Sequence, residues 1–523
     1  MIIAILLRPT THNFKSAHLV LSHIMLCLGI DSGTKSTKTL VLDVESGEVV
    51  ARAQFSYGTI AGLPAGHVEQ DPRIWIEAAE KTVAECLEVV GERRAEIKAI
   101  GVSGQQHGLV ALDEVNEPLR PAKLWCDVST EEQCEEFNKE FGGAEGLIER
   151  IGNPMLPGYT APKLLWLKEN EPANFRRLTS VLLPHDYLNL WLTGERQMEY
   201  GDASGTGLLD VRTRQWCKPI LKFIDPKLET MLPPLRSSKR PAGLLRSVLR
   251  EEWGLGDDAL VSAGSGDNMM GAIGTGNIRP GIVTVSLGTS GTICAYAEEP
   301  VIDPKGEVAA FCDATDHWLP LTCTMNVAVA TEQVRELFGW EIPEMEERVA
   351  AVSAGAGGIT FLPYLQGERT PNLPKGAGVF HGLTTENMTP DYMARAVVEG
   401  VTLGLAYGLR RFKDLGIRSE EIRLTGGGSK SAVFRQITAD VLGLPTVALR
   451  VTEGAALGAA IQAAWTYCQV KGKPLSLEKL VDDLVVVEKK TRVAPEKDTR
   501  TLYNDLLLRR IDLTKKLKAA GYL

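Results

Sequence analysis

The feature that most constrains this chain is a short unit that occurs twice. Near the start, LCLGIDSGTKSTKTLVLDVESGEVVARAQ gives an apolar run, a turn of glycine and hydroxyl residues, a β-rich run, a turn at Ser46-Gly47 and a third run. Much later, PGIVTVSLGTSGTICAYAEEP follows the same plan, and Gly288-Thr289 falls where Gly33-Thr34 falls in the first copy. Two copies about half a chain apart predict two lobes related by duplication. At 523 residues the chain also exceeds a single ordinary core several times over.

Strand and helix signals alternate between and after the copies. Residues 74–90 read as a helix and 97–102 as a strand; in the second half 391–415 and 432–442 read as helices, with EIRLTGGGS a strand running into a glycine turn between them. The class is therefore α/β. The expected division is an N-terminal extension over 1–24, disordered, then one lobe over 25–277 and a second over 278–523. The extension carries Arg8 and Lys15, no acidic residue and no clear small-residue cleavage site, which makes it a poor secretory signal.

Composition excludes several classes of function. A net charge of −9, with no basic block, argues against nucleic-acid binding. No apolar run approaches the length needed to span a membrane. The nine cysteines contain no C-x-x-C pair and read as reduced thiols in a cytoplasm-like compartment.

The turns carry the chemistry. In DSGTKSTK, Asp31 ends a buried strand; Gly33 admits backbone N–H groups close to phosphate oxygens, and Thr34, Ser36 and Thr37 add hydroxyl donors. Asp31 is placed to hold Mg²⁺ through water. Asp-Ser-Gly is also a common hairpin turn in which aspartate bonds its own backbone. The second Gly-Thr hairpin favours the phosphate reading, because two such hairpins facing a cleft clamp one polyphosphate from both lobes.

TGGGSKS (425–431) ends a strand in three glycines and suits a flat or anionic ligand, or simply a helix cap. Ser429 stands where a P-loop has glycine before Lys430, and no G-x-G-x-x-G follows the first strand, so neither the P-loop nor the Rossmann reading is supported. In VSAGSGDNMMGAIG, Asp267 follows a strand and opens a helix, as an N-cap does. Transfer of a phosphoryl group to an alcohol also needs a carboxylate that accepts the hydroxyl proton, and Asp267 is the candidate base. Three further polar turns, VSGQQHGLVAL, LWCDVST and YGDASGTG, point to a small polar ligand held by Gln105, Gln106, His107 and Asp127.

Taken together, GIDSGT, GSGDN, SLGTSG and LTGGGSKS, with the longer runs PGYTAPKLLWL, LPYLQGERTPN and GVFHGLTTENMTPDYMARAVVEG, resemble the FGGY carbohydrate kinases from about Leu26 to the C-terminus. GQQHG, LWCD and GDASGTGLLDV resemble the family's xylulokinase branch rather than its glycerol kinases. The resemblance implies a duplicated, two-lobed actin-like ATPase (ribonuclease H-like) fold with a central cleft. It implies ATP and Mg²⁺ as cofactors, a ketose as substrate, D-xylulose 5-phosphate as product and a homodimer as the assembly. By motif, Asp267 becomes the general base and a substrate contact, and Asp31 the Mg²⁺-linked carboxylate. Gln106, His107 and Asp127 become sugar contacts, and Gly288, Thr289, Gly427, Gly428 and Ser429 nucleotide contacts. Gln106, Cys126 and Ser129 depart from the run found in many bacterial xylulokinases, and Lys35 replaces a small hydroxyl residue in the first phosphate turn. The alternatives are a kinase for ribulose, gluconate or a tetrulose, or a nucleotide-dependent switch without catalysis.

Overall fold

The computed structural model describes residues 25–473 and 475–523, so the expectation for 1–24 lies outside the described residues. The first copy folds as β1 (Leu26–Ser32), β2 (Ser36–Asp43) and β3 (Glu48–Ser56), an antiparallel meander, followed by α1 (Arg73–Val90) and β4 (Ile97–Gly104). Burial on both faces explains the nearly unbroken apolar run of β1, which lies between β2 and a parallel β4. After α2 (Pro184–Thr193) come β5 (Gly243–Leu244), β6 (Leu260–Val261) and β7 (Ser265–Gly266), then α3 (Asp267–Thr275). The sheet has seven strands in the order β5-β6-β4-β1-β2-β3, with β7 also paired to β4.

The second copy folds as β8 (Gly281–Leu287), β9 (Gly291–Ala295) and β10 (Leu321–Thr324), then α4 (Pro390–Asp414), β11 (Ser419–Thr425), α5 (Ala432–Leu442), β12 (Thr446–Ala448) and α6 (Gly454–Val470). Its five-stranded sheet runs β10-β9-β8-β11-β12, which reproduces β3-β2-β1-β4-β6 of the first lobe in reverse reading. The likeness extends to irregularities. The parallel pairing β1/β4 slips in register after its first residue, Leu26, and β8/β11 slips after its first residue, Gly281. The duplicated α/β fold expected from the repeated turn is the fold observed.

One helix ties the lobes together. α6 follows the last strand of the second sheet, yet it packs against β1, β4 and α3 of the first lobe. It is buried along almost its whole length, in keeping with its alanine-rich sequence. The α3/α6 crossing is so close that a Cβ on Gly458 would lie 1.8 Å from the carbonyl oxygen of Met270, and one on Gly274 would lie 1.8 Å from that of Gly454. Only glycine permits that approach.

Candidate active site

Between the lobes lies a cavity of about 220 Å³. The first lobe contributes Gln106, His107, Trp125, Tyr159, Asp267 and Asn268; the second contributes Ser286, Glu307, Phe311, Cys323 and Arg369 among others. The volume suits one small polyol and is too small for a nucleotide. Asp267 sits at the first position of α3, directly after β7, so the strand end and the helix start fix its carboxylate at the lobe junction. Gly266 leaves room for the neighbouring Gln106 side chain, since a Cβ there would lie 2.6 Å from its Cγ. Burial pushes the Asp267 carboxyl up to about 7, helped by the nearby charges of Asp31 and Asp202. A carboxylate poised near neutral pH is suited to general-base work.

Gln106 and His107 reach this cavity from the turn after β4. Gln106 Oε1 accepts a hydrogen bond from Asn268 Nδ2 at 2.7 Å, and the same amide donates to Asp267 Oδ1 at 3.0 Å. Asn268 thus links the Gln106 turn to Asp267. Gln106 Nε2 is buried and has no partner among the described residues. His107 adopts a positive φ of 62°, a conformation few non-glycine residues take, and its carbonyl accepts from Lys163 Nζ at 3.0 Å and Thr160 Oγ1 at 3.1 Å. Its ring lies 5.3 Å from Tyr159 and 5.4 Å from Phe311, centroid to centroid. Burial, together with the positive charges of Lys163 and Arg369, holds His107 well below its ordinary value and keeps the ring neutral.

Two residues expected at the sugar do not line the cavity. Gln105 braces the first hairpin: its Oε1 accepts from Thr34 Oγ1 at 3.0 Å and its Nε2 donates to Gln70 Oε1 at 2.9 Å. Asp127 is fully buried and accepts from Val68 N at 2.8 Å and Ser129 N at 3.0 Å, and its Oδ2 lies 3.3 Å from Lys123 Nζ. The ammonium of Lys123 also lies 3.2 Å from Glu69 Oε1 and 3.1 Å from His67 Nδ1. His67, Glu69 and Asp127 are spaced like metal ligands, but Lys123 already supplies the cation. The polar pattern of both turns is real; tertiary contacts direct it inward.

A second cavity, of about 630 Å³, lies within the second lobe between the β8/β9 turn and the triple-glycine turn. Gly288, Thr289, Gly427 and Gly428 line it, together with Lys430, Arg335 and the apolar Val349, Val433 and Phe434. A Cβ on Gly427 would meet nothing within 4 Å, so the backbone there is open to a ligand. Ser429 does not line this cavity; its hydroxyl turns back to donate to Gly426 O at 2.7 Å and steadies the turn. Gly33, Thr34 and Lys35 line neither cavity, and Lys35 is exposed. Asp31 stands beside β4, where its Oδ1 accepts from Ser103 Oγ at 2.8 Å; burial raises its carboxyl. Among the described residues its second oxygen accepts no hydrogen bond, and a free carboxylate oxygen fits a hard cation such as Mg²⁺.

Asn268, Asp202, Glu307 and Arg369 were not singled out from the sequence. Asn268 adjoins Asp267 in GSGDN, and Arg369 lies in the GERTPN run; both were visible as motif text, without a role. Arg369 Nη2 donates to Trp125 O at 3.0 Å across the cleft, a pairing that no local pattern reveals.

A buried carboxyl raised towards neutral pH at the junction of two duplicated lobes, a small polar cavity before it and a glycine-walled pocket beside it fit a two-lobed phosphotransferase that acts on a small alcohol. The model of the FGGY family of carbohydrate kinases, N-terminal domain, matches residues 26–274 and its C-terminal domain matches 283–467; the chain belongs to this family. It is 41% identical over 444 residues to the xylulose kinase of Haemophilus influenzae, covering 84% of this chain and 90% of that one. Among solved structures, the xyloylose kinase from Brucella ovis superposes with a TM-score of 0.88 at 32% identity, over 95% of this chain and 100% of the other. The gluconate kinase from Lactobacillus acidophilus gives 0.87 at 25% identity, over 95% and 99%.

Proposed function

We propose that the chain transfers the γ-phosphoryl group of ATP to the terminal hydroxyl of D-xylulose, giving D-xylulose 5-phosphate and ADP. The observation that carries this reading is Asp267, a carboxylate raised to about 7 at the floor of an inter-lobe cavity sized for one polyol. Asp267 takes the hydroxyl proton as the oxygen bonds to the γ-phosphorus and the bond to the β,γ-bridging oxygen breaks, with ADP leaving. Gln106 and His107 orient the sugar from one lobe, and Arg369 and Glu307 close the opposite wall. Gln105 and Asp127 support the walls from behind.

Gly288, Thr289, Gly427 and Gly428 hold the nucleotide, with Ser429 fixing the shape of their turn. Gly33, Thr34 and Lys35 meet the phosphates from the other side of the cleft. Asp31 is the residue for Mg²⁺, which neutralises phosphate charge when bound. Closure of the lobes excludes water from the transferred group. We place the lobe boundary at 277/278, assign the enzyme to the cytoplasm on its nine free thiols, and take a homodimer as its assembly.

The test is ADP release in a coupled assay with MgATP against D-xylulose, D-ribulose, L-ribulose, glycerol and gluconate, with Asp267→Ala alongside. D-Xylulose should give the highest kcat/KM, and the variant should abolish it. Preference for gluconate or a ribulose would keep the kinase and replace the substrate. MgATP binding without any sugar-stimulated turnover would leave a nucleotide switch.

A further inference from the structure

The carboxylate of Asp202 takes no part in the transfer just described, yet it faces the substrate turn. It lies in the short helix Tyr200–Ala203, capped by Glu199, whose carboxylate accepts from Gly201 N and Asp202 N, both at 2.6 Å. Asp202 Oδ2 is 2.9 Å from His185 Nδ1, and His185 Nε2 is 3.0 Å from Asp186 Oδ1. This leaves Asp202 Oδ1, which is buried and has no hydrogen-bond partner of good geometry among the described residues; the backbone N–H of His107 is also close enough to favour the carboxylate form. The atom facing it, at 4.0 Å, is His107 Nδ1, also buried and also without a partner. Two complementary buried atoms without partners, facing one another, are rare enough to need an explanation.

The ring of His107 is seated against Gly205. A Cβ on Gly205 would lie 1.9 Å from its Cε1 and 2.2 Å from its Nδ1, so the absence of a side chain there is what admits this edge of the ring. Tyr159 and Phe311 pack around it, and its other nitrogen, Nε2, is left for the cavity that His107 lines. A neutral imidazole carries one N–H, and the partner of one nitrogen decides what the other offers.

We propose that Asp202 is a positioning residue that fixes the tautomer of His107: Nδ1–H points to Asp202 Oδ1, and Nε2 is presented to the sugar as an acceptor for a hydroxyl. A closing movement of about 1 Å brings the pair to hydrogen-bond distance, and bonds of this kind are often long before substrate binds. His107 then reads a hydroxyl of the sugar and rejects a carbonyl at the same place, because an acceptor cannot pair with an acceptor. The inference rests on reading this cavity as the sugar site.

The test uses the full chain labelled with ¹⁵N-histidine, with His107→Gln to assign the resonance. In the wild-type protein the protonated nitrogen of His107 is expected to be Nδ1. In Asp202→Asn the carboxamide oxygen serves His185 and its NH₂ faces Nδ1, so the proton is expected to move to Nε2. The KM for D-xylulose should then rise about tenfold, the share of one hydrogen bond, while the KM for MgATP stays within about twofold of wild type. A wild-type ring protonated on Nε2, or a folded Asp202→Asn protein with an unchanged tautomer, overturns the proposal. If Asp202→Asn does not fold, the wild-type spectrum alone decides. If the tautomer behaves as expected but no sugar stimulates ADP release, the substrate reading fails and the positioning role of Asp202 stands.

Discussion

The two hairpins of the repeat share a turn and differ in what holds it. In the first, side chains brace the loop: Tyr57 OH donates to Gly33 O at 2.7 Å, Gln70 Nε2 to Thr34 O at 2.7 Å, and the Thr34 hydroxyl is shared between Gln105 and Trp125. In the second, among the described residues, Gly288 O and Thr289 O accept backbone bonds alone, from Ala328 N at 3.0 Å and Val327 N at 3.1 Å, and the turn opens onto the larger cavity. One copy is braced by side chains and the other opens onto a cavity. A duplicated unit thus keeps its backbone geometry while its polar atoms are committed to different tasks.

The sharpest division between the halves should appear in Asp267→Asn. Turnover should fall about 10²- to 10⁴-fold, whereas nucleotide binding in the second lobe, followed by titration calorimetry, should be unchanged; loss of both would show that the halves are not functionally separate. The pH profile comes next. With the Asp267 carboxyl raised to about 7, protonation on acidification removes the base, so kcat/KM should fall as pH drops through that value, by about 50-fold from pH 7 to 5. A flat acid limb would remove Asp267 from the role.

Gln105→Ala tests the braced hairpin. It strips partners from Thr34 and Gln70 and should lower stability by about 2 kcal/mol in denaturant titration, with the sugar KM nearly unchanged. A raised sugar KM at full stability would instead return Gln105 to the substrate. The smallest effect is expected at the open hairpin's neighbour, where Gly427→Leu projects into empty space. The KM for ATP should rise about tenfold without a change in melting temperature; a fall in stability would mean that the turn is structural there.

The repeated turn, the lobes and the position of Asp267 were legible because each depends on local spacing: a strand end, a glycine turn, a helix start. Gln105, Asp127 and Ser429 were harder to place, since a polar residue in a tight turn serves ligand and scaffold with the same atoms. Which it serves is decided by Gln70, Lys123 and Gly426, and of those three only Gln70 lies in a distant segment of the chain. Glu307 and Arg369 came from the far lobe, where only closure of the chain on itself brings them to Gln106 and His107. Asp202 lies in the YGDASGTG turn, but its partner across the turn is set by the missing side chain of Gly205.

The helix α6 gives the duplication a consequence for cooperativity. A polypeptide ending at residue 277 would lack the element that covers β1 and β4, and the glycine surfaces of α3 would face water. The ancestral halves, however alike their sheets, have therefore lost autonomy: they should melt in one calorimetric transition, and the first should refold only when the last strand of the second has delivered its helix.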